Sequence, residues 1–84
     1  MKKSKKISQK IHNFTAIFEP AEEGGYVVTV PALPGCATQG ETFEEATVMI
    51  QDAVQLYVKS LRDLKEEIPI ESENVVISKV PVRI

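Results

Sequence analysis

His12 is the only histidine and Cys36 the only cysteine. With twelve Asp and Glu residues, they are the side chains from which acid–base, thiol or metal chemistry would be built. A general base must be held in hydrogen-bond reach of the proton it removes. His12 stands where a strand is expected to begin, beside a lysine-rich arm, and reads as a surface residue. A reactive thiol needs a positive neighbourhood or a helix N-terminus. Cys36 follows Pro34-Gly35 among acidic residues and reads as a small buried side chain. A single cysteine also excludes an intrachain disulfide and a multi-cysteine zinc site. No G-x-S-x-G, G-x-x-x-x-G-K-[ST] or G-x-G-x-x-G occurs, so neither a nucleophile elbow nor a phosphate-cradling loop is encoded. A two-metal nuclease needs carboxylates that converge on one point. Here Glu19 closes the first expected strand, Glu44 and Glu45 open a helix, and Asp52 follows two turns on, so most face solvent. The sequence is therefore read as having no catalytic residue, no metal site and no cofactor.

The elements that would position these residues follow from periodicity. Alternation over 11–18, with Phe14, Ala16 and Phe18 set against Asn13, Thr15 and Ile17, predicts a strand. Pro20-Ala21-Glu22-Glu23-Gly24-Gly25 is a turn by composition. Residues 26–30 predict a second, antiparallel strand, with Tyr26, Val28 and Val30 on one face and Val27 and Thr29 on the other. Pro31 ends its pairing, Leu33-Pro34-Gly35 turns a corner, and 36–39 predicts a third strand. Thr42-Phe43-Glu44-Glu45 is a capping box. Phe43, Ala46, Ile50, Ala53, Tyr57, Leu61 and Leu64 give one apolar face to a helix over 43–66. A last strand is expected over 75–84, with Val76, Val80, Val82 and Ile84 on one face and Val75 and Ile77 on the other.

A crossover through a helix joins parallel strands. The expected fold is thus α+β, two layers in β-β-β-α-β order, with sheet order 3-2-1-4. Eighty-four residues make one domain, 11–84, behind a flexible basic arm, 1–10. One helix cannot cover both sheet faces. Ile17, Val27, Val75 and Ile77, with Val80, Val82 and Ile84, are accordingly expected to lie in an interface with another chain, a copy or a partner.

The net charge of −2 hides a split. Residues 1–10 hold five lysines and no acid, while 11–84 hold five basic and twelve acidic residues, a net −7. Five lysines could support salt-dependent, sequence-blind contact with nucleic acid. No aromatic residue interleaves them, and the acidic body repels a polyanion. No apolar stretch follows the arm, which excludes a secretory signal peptide, and no run reaches membrane-helix length.

The segment Gly25-Tyr26-Val27-Val28-Thr29-Val30-Pro31-Ala32-Leu33-Pro34-Gly35-Cys36-Ala37-Thr38-Gln39-Gly40-Glu41-Thr42-Phe43-Glu44-Glu45-Ala46 resembles the HicB-like antitoxin family. The likeness is carried by a Gly-aromatic strand, then V-P-x-L-P-G-C-x-T-x-G, then a T-x-x-E-A helix start. It continues through Ile50–Tyr57 and covers roughly residues 14–60. The resemblance implies a partial ribonuclease-H-like fold and a non-catalytic antitoxin that blocks a HicA-type, mRNA-cleaving toxin. It also implies a dimer or larger assembly in the bacterial cytoplasm. Asn13 and Thr15 occupy the first strand where a ribonuclease H would want an inward aspartate. Many family members carry a C-terminal DNA-binding segment. None is expected after Ile84, so direct DNA binding is not expected.

An acidic body complements a toxin that must grip RNA. The expected toxin contacts are the turn Glu22-Glu23, the loop with Pro31, Leu33 and Pro34, and the helix face with Glu44, Glu45 and Asp52. Two other readings stay open: a stand-alone oligomeric binding module of the same fold, and a metal-dependent nuclease.

Overall fold

The computed structural model describes residues 12–84. Three strands, β1 (Ile17–Pro20), β2 (Tyr26–Thr29) and β3 (Ala37–Gly40), precede one helix, α1 (Phe43–Asp63). The strands form an antiparallel sheet in the order β1-β2-β3. Phe18 faces Val28 across one ladder and Val28 faces Thr38 across the next. Because side chains alternate along a strand, Phe18, Tyr26, Val28 and Thr38 share one face, and Ile17, Val27, Thr29 and Ala37 share the other. Val28 is fully buried, which identifies the first face as the one under the helix.

The β1–β2 ladder is shorter at its start than the 11–18 alternation predicts. It begins at Ile17, opposite Thr29. Two positions further back, Thr15 would face Pro31, which has no N–H to donate. The Val30 N–H is already given to the Cys36 carbonyl at 3.1 Å. The alternation still holds in packing, since Phe14, Ala16 and Phe18 all lie against the core. At its other end β1 runs on to Pro20, beyond the expected Phe18.

Thr42 caps α1 by accepting the Glu45 N–H at 3.0 Å. The Glu45 carboxylate reaches back one residue beyond the usual partner, to the Glu41 N–H at 2.5 Å. Both bonds satisfy donors that a helix start leaves open. The helix closes at Asp63, three residues before the expected end. Lys65 adopts φ 61°. Its N–H donates to the Arg62 carbonyl at 3.0 Å, and the Glu66 N–H donates to the Leu61 carbonyl at 2.9 Å. This pair of bonds is a Schellman motif, which normally uses glycine at the left-handed position. Lys65→Gly is expected to stabilise the fold by about 0.5–1 kcal/mol, read as a higher urea midpoint at unchanged slope.

Val28, Val30, Leu33, Cys36, Ala46 and Ile50 form the buried core. Gly40 makes the layers fit: a Cβ there would stand 2.5 Å from the Ala46 backbone N, so only glycine lets β3 abut the first turns of α1. Four-residue strands span about 14 Å, whereas 21 helical residues span about 32 Å. The helix therefore outruns the sheet. Leu64, expected on the core face, lies past the sheet and is exposed.

The expected fourth strand is not part of this sheet. Residues 75–84 pair with no strand, and Val75, Val76, Ile77, Val80, Val82 and Ile84 are exposed. The Glu71 carboxylate is held by Thr15, whose N–H donates to its two oxygens at 2.9 and 3.1 Å and whose hydroxyl donates to one of them. A turn at 73–74 follows. The 3-2-1-4 order thus stands as 3-2-1 in the single chain. The lysine arm and its boundary at residue 10 lie outside the described residues.

Candidate protein-binding surface

The β1–β2 turn, the end of β3 and the start of α1 meet at one end of the molecule. The register aligns Pro20 with Tyr26 and Tyr26 with Gly40. The turn is closed by Ala21 N–H to Gly25 carbonyl, 2.9 Å, and Gly24 N–H to Ala21 carbonyl, 3.0 Å. Gly25, at φ 78°, packs directly on the Gly40 carbonyl and Glu41. Phe43, the first helical residue, lies tilted by 40° against Phe18 with ring centroids 4.6 Å apart, and edge-on to Tyr26 at 6.1 Å. Phe43 remains 50% exposed. Such ring pairs add about 0.5–1.5 kcal/mol beyond area burial and fix the aromatic cluster in place.

The segments that meet at this end carry several carboxylates. Glu19, Glu22, Glu23, Glu41, Glu44 and Glu45 are all exposed, and no basic residue occurs between His12 and Lys59. Among the described residues the one ion pair is Lys59–Asp63, on the far half of α1. The fold thus brings together four expected contact residues, Glu22, Glu23, Glu44 and Glu45. Asp52 is exposed further along the helix. Sequence reasoning missed the aromatic centre of this end. The signal was available: in a hairpin closing at Pro20–Tyr26, Phe18 and Tyr26 fall on the same face.

Pro31, Leu33 and Pro34 lie at the opposite end of β2. Their loop bonds to itself, with Leu33 N–H to Val30 carbonyl at 3.0 Å and Cys36 N–H to Leu33 carbonyl at 2.9 Å. The Tyr57 hydroxyl clamps it by donating to the Pro34 carbonyl at 2.8 Å. Pro31 and Pro34 are exposed, but Leu33 is 0% exposed and belongs to the core. Leu33 is thus corrected from contact to anchor: burying it is what closes the loop. Ile17 and Val27 lie on the sheet face away from the helix, half-buried and exposed respectively.

Among the described residues no group of three His, Cys, Asp or Glu side chains could hold a metal ion. His12 is exposed and stacks on Phe14 with ring centroids 6.4 Å apart. Cys36 is buried, and desolvation pushes its thiol above the ordinary value. Thiolate is the reactive form. Iodoacetamide at pH 8 is therefore expected to label native Cys36 at least roughly tenfold more slowly than the urea-unfolded chain. Equal rates would show that the loop does not shield it.

Glu71 has its carboxyl held below the ordinary range, first by the Thr15 hydroxyl and then by the Thr15 amide. A lowered folded-state pKa means that the bridge's contribution is complete above the unfolded pKa. It is lost as pH falls through the lower folded value. The effect on stability is small, since solvent screens it. The Thr15 amide resonance is expected to shift on acidification only below the ordinary carboxylate range, and to stay flat in Glu71→Gln. No periodicity or motif announces this contact between residues 56 apart.

The described residues thus form a small α+β body, three antiparallel strands and one helix, with acidic residues and an aromatic cluster at one end. The family model described as the HicB_like antitoxin of bacterial toxin-antitoxin systems matches residues 14–81, and the chain belongs to that family. It is 50% identical over 56 residues to a UPF0150 protein of Thermoplasma acidophilum, covering 67% of this chain and 81% of the relative. It is 36% identical over 74 residues to a UPF0150 protein of Synechocystis, covering 88% and 91%. It is also 40% identical over 57 residues to Antitoxin HicB 1 of Photorhabdus laumondii, covering 68% of this chain but 37% of that antitoxin. Membership points to binding rather than catalysis, and an antitoxin implies a toxin as partner. No helix among the described residues is long and apolar enough to cross a membrane.

Proposed function

We propose that this chain neutralises a HicA-type, mRNA-cleaving toxin by docking its acidic end over the toxin's RNA-binding surface. The observation that carries this reading is the set of exposed carboxylates, Glu22, Glu23, Glu41, Glu44 and Glu45, on the turn and helix start that meet at the end holding Phe18, Tyr26 and Phe43. A protein that grips RNA must present positive charge, because phosphate contacts dominate such affinity. Complementary charge speeds encounter and sets orientation, while a central aromatic supplies the anchor that polar rims lack. Phe43 is that anchor and the carboxylates are the rim. The chain acts in the cytoplasm, where mRNA is. Inhibition is by occlusion and needs no catalytic group.

Co-expression tests it. On this reading a small basic protein is expected to be encoded beside this chain's gene; cells expressing that protein should stop growing, and this chain should restore growth. Failure of rescue with both proteins present and folded would remove the antitoxin role. A second reading, an oligomeric binding module with no toxin, draws on the exposed apolar residues of 75–84. It predicts a folded oligomer that leaves the neighbouring protein's toxicity untouched.

A further inference from the structure

The segment after Glu71 is built like a strand but has nothing to pair with in its own chain. Val75, Val76, Ile77, Val80, Val82 and Ile84 are β-branched, the residues that best suit a pleated, half-buried surface. Val76, Val80 and Val82 are 83%, 76% and 73% exposed. Ten extended residues reach about 33 Å.

The same chain also carries an incomplete sheet. β2 lies between β1 and β3, so β1 has one edge with no strand on it. An open edge is a row of unpaired N–H and C=O groups ready to template another strand. Glu71, bonded to Thr15, fixes the tail's point of departure just ahead of β1. A turn at 73–74, with the Asn74 N–H donated to the Ser72 hydroxyl at 3.2 Å, precedes the exposed, unpaired tail.

We infer that residues 75–84 add as a fourth strand to the β1 edge of a second copy of this chain, and that the exchange is reciprocal. One two-fold axis then satisfies two open edges and two apolar tails at once. Pro81 fits this placement, because a strand added at an edge can turn a position without an N–H away from the ladder. The inference goes beyond the antitoxin reading and stands or falls without any toxin present.

The test is the solution mass of the full chain, by sedimentation equilibrium, with the variant Val80→Asp/Val82→Asp. The wild type should be a dimer, twice 9.3 kDa. The variant should dissociate at least a hundredfold more readily while keeping its helical circular dichroism. Isotope-filtered NMR on a mixture of labelled and unlabelled wild type should give contacts between the tail of one copy and residues 15–19 of the other. A monomeric wild type, a dimer that the variant leaves intact, or tail contacts confined to the same copy would each overturn the exchange.

Discussion

Gly25→Ala is expected to lower the thermal unfolding midpoint by roughly 10–25 °C, a destabilisation of about 2–4 kcal/mol. Two costs add. Gly25 holds φ 78°, where a Cβ is unfavourable by about 1–2 kcal/mol. That Cβ would also overlap the Gly40 carbonyl oxygen and come 3.1 Å from the Glu41 Cα. Both are backbone atoms and cannot swing aside, so the strand or the helix start must shift, at about 1–3 kcal/mol. A less flexible unfolded chain returns part of this, up to about 1 kcal/mol. Gly24→Ala separates the two costs. Gly24 has φ 104° but open space around its missing side chain. It should lose clearly less than Gly25→Ala. Equal losses would mean that the close approach of turn, β3 and α1 does not hold the acidic end together.

Reversing two charges in that end should act on binding and leave folding alone. Glu22 and Glu23 lie in an exposed turn, and neither takes part in a hydrogen bond or ion pair among the described residues. Glu22→Lys/Glu23→Lys should weaken association with the toxin roughly ten- to hundredfold, mostly through a slower on-rate. The remaining affinity should also depend less on salt, because fewer complementary charges are left to screen. Surface plasmon resonance at two salt concentrations reads both effects. Pro31→Ser, in the loop at the other end, should change neither. An unaltered on-rate and salt slope in the double variant would place the toxin contact elsewhere on the chain.

Local patterns in the sequence carried the body of the fold. The alternation of Tyr26, Val28 and Val30 placed the core face of β2, and Val28 and Val30 are buried there. The Thr42 cap was legible because capping is a matter of spacing. The helix end was not. Lys65 in a left-handed position leaves no glycine to mark it, and the apolar period runs on to Leu64. The last strand misled for a different reason. Its composition is that of a strand, but a pattern says that a segment can pair, not which edge or which chain it meets. The four charges that converge at one end were each visible, but the end itself comes from the register of three strands. Leu33 reads as surface because it sits between two prolines; the closure of its loop on the core decides otherwise.

The central claim is that this chain stops a toxin from reaching RNA. The direct measurement is cleavage of a labelled mRNA by the purified HicA-type toxin proposed as partner, titrated with the full chain. Cleavage should fall in proportion to added chain and end near one chain per toxin, with toxin-bound RNA displaced along the same curve. Undiminished cleavage at tenfold excess of folded chain would contradict the account.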